Sequence, residues 1–239
     1  MAIAVRTIST PARNTAHVCG GAANYTITST TAGDLLIAYI AYFQAEARTV
    51  TGITGGGTWT SAVAQSVDAN SHQELWVAHN VSAGVTALSV TLNGSGLDTN
   101  AVVQVTCIHC SGGATSSAVD VTPTPTTGTS NAPSITSGTL AQADEIIVSG
   151  NTHTGADLTT MTEDTGDGFT EANQNLDNDF GQTFELQYKV VAATTSLVVG
   201  ASYNASRQWG AILASFKGAG GGGGIRIPVV YHQRQRNFG

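Results

Sequence analysis

The chain carries one strand pattern twice. The run Glu74-Leu75-Trp76-Val77-Ala78-His79 is followed, after a turn, by Ala87-Leu88-Ser89-Val90-Thr91-Leu92, and Glu185-Leu186-Gln187-Tyr188-Lys189-Val190 is followed by Leu197-Val198-Val199-Gly200-Ala201. Each pair leads into a closing apolar run, residues 101–108 in the first half and 209–216 in the second. The openings also match, residues 34–40 against 144–149. Internal repetition of this kind constrains a fold more than any single motif, because one supersecondary plan must serve both copies.

Within each copy the apolar residues alternate with polar ones at the strand period, and no stretch sustains the helical period. Clusters such as Asn93-Gly94-Ser95-Gly96 punctuate the runs as turns do. Four strands per half predict about eight in all. The expected fold is therefore all-β, an antiparallel double-sheet sandwich of jelly-roll type built from two similar halves, with an immunoglobulin-like sandwich as the alternative. Residues 1–218 are expected to form this single sandwich. The soft stretch from Ser111 to about Leu140 reads as a surface connection containing one short edge strand.

The repeat also makes a statement about faces. If Leu75, Val77 and His79 match Leu186, Tyr188 and Val190 on the core side, Trp76 takes the outward place of Gln187. Aligning Leu36, Ala38 and Ile40 with Ile146, Val148 and Gly150 sets Leu35 and Tyr39 where the second half has Glu145 and Ser149. Leu35, Tyr39 and Trp76 are thus expected to form an outer apolar patch. Such a patch is either a contact surface or a face covered by residues 1–32.

After Lys217 the composition changes. Residues 218–224 are glycine apart from Ala219, and an apolar, basic segment follows, running from Ile225 to Phe238. Of the nine cationic side chains three lie in this tail, and all sixteen acidic ones precede it, so the tail carries +3 and the rest −10. Residues 219–239 read as a flexible linker and an arm that takes its structure from a partner. Its expected contact residues are Ile225, Arg226, Pro228, Val229, Tyr231, Arg234, Arg236 and Phe238: Ile225 to Val230 added to a strand edge, Tyr231 and Phe238 as anchors, the arginines on carboxylates. An acidic body is a poor general binder of nucleic acid. The amino terminus shows no secretory signal pattern and no stretch is long and apolar enough to span a membrane, so residence in a cytoplasm is expected. Removing residues 219–239 is expected to leave a folded body that no longer assembles.

Chemistry-bearing motifs are sparse. Cys107-Ile108-His109-Cys110 has zinc-ligand spacing, with His17 and Cys19 as potential partners, but residues three apart on a strand point to opposite faces. Buried free thiols are the preferred reading, with no metal. The acidic stretch 157–179 suits calcium in composition and not in spacing, and reads as a solvated loop. His72, His79 and His153 lack a nucleophile motif around them. No catalytic residue, no cofactor and no enzymatic activity are expected.

The ordering Gly33-Asp34-Leu35-Leu36, Glu74-Leu75-Trp76, Ala87-Leu88-Ser89-Val90-Thr91, Val121-Thr122-Pro123-Thr124-Pro125 and Ala211-Ile212-Leu213-Ala214-Ser215-Phe216 resembles the jelly-roll virion proteins of tailed phages, either capsid decoration (cement) proteins or fibre modules. The resemblance implies a non-enzymatic protein made in a host cytoplasm and carried in the virion, partnered by a capsid or other virion protein and self-associated, most simply as a trimer. Similar sandwiches bind glycans. A glycan-binding or host-adhesion fibre module is thus the alternative, with Trp59, Trp76, Tyr203 and Trp209 as its candidate aromatic contacts.

Overall fold

The structure, a computed structural model, describes residues 1–15, 17–43, 48–94, 96–97, 102–155, 160–163, 167–175 and 182–220. The first half contributes β1 (Ala4–Ile8), β2 (Ala12–Asn14), β3 (Val18–Cys19), β4 (Ala22–Thr26), β5 (Leu35–Phe43), β6 (Val50–Thr54), β7 (Trp59–Ser66), β8 (Ser71–Ala78), β9 (Ala87–Leu92), β10 (Gly96–Leu97) and β11 (Val102–Ser111). The second contributes β12 (Thr126–Ser130), β13 (Ser134–Thr136), β14 (Glu145–Thr154), β15 (Met161–Glu163), β16 (Thr170–Asn175), β17 (Gln182–Val191), β18 (Val198–Tyr203) and β19 (Arg207–Lys217). All pairings are antiparallel.

The all-β sandwich expectation holds, and the duplication goes further than the sequence reading took it. The first half forms a large sheet in the order β1-β11-β5-β8-β7, with β2 also on β11, and a small sheet β4-β9-β6. The second forms β12-β19-β14-β17-β16 and β13-β18-β15. With β1 and β2 taken together against β12, the two orders correspond strand for strand. The count of eight expected for the whole chain is therefore the count for each half. Each half is a sandwich in its own right, and nineteen strands occur among the described residues.

The two sandwiches stack through their large sheets, giving four layers: small, large, large, small. One core lies between β4-β9-β6 and the first large sheet, around Tyr25, Leu36, Ile40, Leu88 and Val90. A second lies between the two large sheets and draws on both halves, including Leu35, Ile37, Tyr39, Leu75 and Ile108 from one and Ile146, Val148, Leu186, Ile212 and Phe216 from the other. A third lies between the second large sheet and β13-β18. This layering explains two kinds of strand sequence. The large sheets are covered on both faces, so β5 is an unbroken apolar run, Leu-Leu-Ile-Ala-Tyr-Ile-Ala-Tyr-Phe, buried from Leu35 to Tyr42. The small sheets face solvent on one side, so β9 alternates, with Leu88, Val90 and Leu92 buried and the residues between them half-exposed.

The connection between halves is not a free linker. Its segment 114–121 lies along β19: the Ala114 N–H donates to Lys217 O (2.8 Å), Lys217 N–H to Ala118 O (2.7 Å), Asp120 N–H to Ser215 O (2.9 Å) and Ser215 N–H to Val121 O (2.9 Å). Where one short edge strand is expected, the connection holds two: β12, which continues along β19, and β13, which pairs with β18 in the small sheet.

Register with the central strands gives the residue equivalences. Glu74 pairs with Ile40, and Glu185 with Asn151, so Ile40 corresponds to Asn151 and Tyr39 to Gly150. The sequence alignment of the closing strands stands, with Cys107 equivalent to Leu213 and Cys110 to Phe216. The alignment of the opening strands was one residue out. Asp34 corresponds to Glu145 and not to Asp144, which precedes β14 with φ at 68°. A one-residue slip exchanges the faces of a strand, and that slip produced the expected outer patch.

Candidate functional site

Leu35 and Tyr39 are not outward. Both are buried between the large sheets, in a core closed by the second sandwich to which Ile3, Val5 and Ile8 of the amino-terminal segment also contribute. Trp76 points the other way, half-buried against the first core, with its Nε1–H donated to Glu74 Oε2 (2.7 Å). The three residues therefore form no common surface. The arm residues Ile225, Arg226, Pro228, Val229, Tyr231, Arg234, Arg236 and Phe238 lie outside the described residues.

What the structure does bring together is polar and interior. Glu74, on β8, is buried and accepts three donors: the Tyr42 hydroxyl (2.8 Å) and the Val50 N–H (2.8 Å) on Oε1, the Trp76 indole on Oε2. Val50 opens β6, so this carboxylate ties the small sheet to the large one. Tyr42 stacks on His72 (5.2 Å between centroids), and His72 Nδ1 meets Ser66 Oγ at 2.8 Å. Burial lowers the pKa of His72, and burial together with the neighbouring Glu74 charge raises that of Tyr42. A cleft of about 130 Å³ opens here, lined by Tyr42, Arg48, Gln65, Ser66, His72 and Glu74 among others. Because both oxygens of Glu74 already accept donors, two on Oε1 and one on Oε2, the cleft presents hydroxyl and amide groups more than a free base.

The same position in the second sandwich has a different character. Glu185 accepts from Asn151 Nδ2 (3.1 Å) and the Tyr203 hydroxyl (3.3 Å) on Oε2, while Oε1 has no partner. His153, in the place of Tyr42, lies against the Tyr203 ring with both ring nitrogens unpaired. Burial pushes the Glu185 carboxyl up to about 7 and the His153 imidazole down to about 3. Both are thus held toward their neutral forms by desolvation. His72 and His153 sit in different sandwiches, so the three histidines noted in the sequence do not converge.

Between the large sheets a further polar set bridges the halves. The Tyr39 hydroxyl lies 3.0 Å from Gln73 Oε1 and 3.2 Å from Thr152 Oγ1, and Thr152 Oγ1 donates to Gln73 Oε1 (3.1 Å). Asn173 Nδ2 donates to Thr106 Oγ1 (2.8 Å), and Asn175 Nδ2 to Gln104 Oε1. Directional bonds among otherwise apolar contacts fix how one sheet sits on the other. Sequence reasoning passed over these residues because isolated Gln, Asn and Thr on strands look like solvent-facing positions.

Cys107 faces the first core and Cys110 the core between the sheets, so the two cannot ligate one ion. Burial raises the pKa of both thiols, that of Cys110 to about 12. Among the described residues no three His, Cys, Asp or Glu side chains gather as a metal-ligand group. Of the acidic stretch, Asp157, Asp164, Asp177 and Asp179 lie outside the described residues, while Asp167 and Glu171 are exposed. Trp59, Tyr203 and Trp209 are buried, leaving half-buried Trp76 as the most accessible of the four candidate sugar contacts. No model of a known protein family matches the sequence, and neither does any curated protein or any solved structure.

Proposed function

We propose that the chain is a non-enzymatic structural protein of a virus particle, a capsid decoration (cement) protein of the tailed-phage kind with sandwiches of jelly-roll type. In this reading it attaches to the particle exterior, contacts a capsid or other virion protein, and self-associates, most simply as a trimer. The observation that carries the reading is the division of the chain into a body of charge −10 and a basic apolar segment of charge +3. Glu74 is satisfied internally, and among the described residues β7, β12 and β16 end the paths of the large sheets. An arm with three arginines and the apolar residues Ile225, Val229, Tyr231 and Phe238 is suited to such an edge on an acidic neighbour.

Truncation tests this, with one refinement of where to cut. The Gly218 N–H donates to Asp144 O (2.8 Å) and the Ala219 N–H to Gly112 O (2.7 Å), so both belong to the body. A chain ending at Gly220 is expected to keep the thermal midpoint of the full chain and to sediment as a monomer, whereas the full chain sediments as an oligomer. Equal mass distributions for the two would refute the arm's role in assembly. If the truncated chain stays monomeric and the full chain binds a glycan array through Trp76, the adhesion alternative takes precedence.

A further inference from the structure

We propose that the edge of β16 in one copy of the chain receives segment 225–230 of a neighbouring copy as an added strand, an inference that rests on the arm's role in assembly and names its seat. A strand edge presents unpaired N–H and C=O groups, and the charges along it select which extended chain it admits. Among the described residues the paths of the two large sheets have four ends, and these differ in charge. At one end β1, with β2 beside it on β11, carries Arg6 and β2 carries Arg13, which disfavour a basic arm. β7 and β12 contain no ionisable residue, and Pro125 and Pro133 flank β12. β16 holds Glu171, and Asp167 precedes it, both exposed. In the small sheets β15 has Glu163 but is three residues long.

β17 takes one side of β16, and among the described residues no strand takes the other. Asn173 and Asn175 turn inward to Thr106 and Gln104 of the first sandwich, which fixes the strand in place with Thr170 and Glu171 exposed at its start. At its far end Gln174 donates to Met161 O (3.0 Å). The cation on the neighbouring strand, Lys189, is directed to the loop before β16: it donates to Asp167 O and lies over the Phe169 ring, 5.7 Å from its centroid. A carboxylate on an edge repels copies of the acidic body and admits a basic strand, so the residue that guards the edge also selects its occupant.

Segment 225–230 alternates Ile225, Ile227 and Val229 with Arg226, Pro228 and Val230. Backbone N–H groups of alternate residues point to opposite sides of an extended strand, so Pro228 leaves the side of Ile225, Ile227 and Val229 complete. Paired through that side, the segment turns its proline outward and ends the sheet, where a proline is tolerated. The linker favours a neighbour's edge over the chain's own. Lys217 pairs with Glu145, Glu145 with Val191, and Tyr188, three residues back, with Thr170. Three strand spacings and three residues put Thr170 about 18 Å from Lys217. The Ala219 N–H is bonded to Gly112 O, so the chain turns toward the first sandwich before Gly221. From Gly220 to Ile225 a fully extended chain covers at most about 18 Å, which leaves nothing for that detour.

Cross-linking between two differently marked full chains tests the seat. Thr170→Cys is mixed with Ile227→Cys and treated with a short bismaleimide, the three native thiols being buried. Covalent dimers are expected at about tenfold or more the yield given by Thr60→Cys, exposed on β7, with the same arm variant. Sedimentation supplies a second measure. Glu171→Lys is expected to weaken self-association about tenfold with the thermal midpoint unchanged, and Thr60→Lys to leave association as it was. Cross-linking at Thr170 no greater than at Thr60 overturns the β16 seat. So does a chain carrying both Thr170→Cys and Ile227→Cys that closes only within itself, because the arm would then lie on its own body. Either result leaves the arm's role in assembly intact when truncation at Gly220 still dissociates the oligomer; a full chain that sediments like the truncated one overturns both.

Discussion

Gly150→Val is expected to destabilise the protein by about 3 kcal/mol or more, the upper range of core overpacking. A Cβ at Gly150 would overlap the ring of Tyr39, which crosses from the other large sheet. The ring has nowhere to retreat, being 1% exposed with its hydroxyl held by Gln73 and Thr152. Tyr39 and Gly150 are the same position in the two halves, so a residue here meets its own duplicate across an approximate twofold. Two tyrosines would collide, and the halves have diverged to one large and one absent side chain. Equilibrium urea unfolding of Gly150→Val alone and in a Tyr39→Leu background tests this. The valine is expected to cost much less when Tyr39 is shortened, a coupling of the sign that shared space requires. Additive costs would mean that the two positions do not compete.

That contact was out of reach of the sequence, and the reason is physical. A strand buried on both faces gives no alternation to fix its phase, so Leu35 to Tyr42 could be aligned with β14 in either of two registers. The acidic residue at the head of each strand offered the anchor, and two neighbours, Asp144 and Glu145, competed for it. In β8 and β17 the phase was legible because Glu74 and Glu185 each stand directly before a leucine, Leu75 and Leu186, and their equivalence holds in the pairing registers. The opposite faces of Cys107 and Cys110 were legible for the same reason that any strand's are. The number of layers was not. Four strands per half were counted because β1, β4, β6, β7, β12, β13, β15 and β16 are short, polar or interrupted by bulges, as between Ser61 and Val63 in β7 and between Glu171 and Asn173 in β16. Apolar excess on both faces of the central strands was the signal for a second covering layer, and it was read instead as an exposed patch.

The equivalence of Glu74 and Glu185 yields a second large expected effect, opposite in sign at the two positions. Glu74→Gln presents an amide nitrogen to a site built from donors, setting it against the Trp76 indole, or against Tyr42 and Val50 if the amide flips. The expected cost is about 1–3 kcal/mol for an unsatisfied buried donor. Glu185→Gln keeps an oxygen for Asn151 and Tyr203 and removes a carboxyl that burial holds up to about 7. Between the ordinary carboxyl value of 4.5 and about 7 the folded wild type binds the extra proton, so its stability falls with rising pH across that window and stays lower above it. The glutamine does not titrate. Relative to wild type, Glu185→Gln is therefore expected to gain about 3 kcal/mol between about pH 4 and about pH 8, the free energy of a shift of this size. His153, held at about 3, titrates in the opposite sense, gaining stability for the fold as pH rises from about 3 toward 6.5, but does so in mutant and wild type alike and drops out of the comparison. Unfolding free energies of both variants across this range decide the matter. A Glu185→Gln curve running parallel to wild type would show that Glu185 is ionised in the folded protein, and that the two duplicated carboxylates do the same structural work.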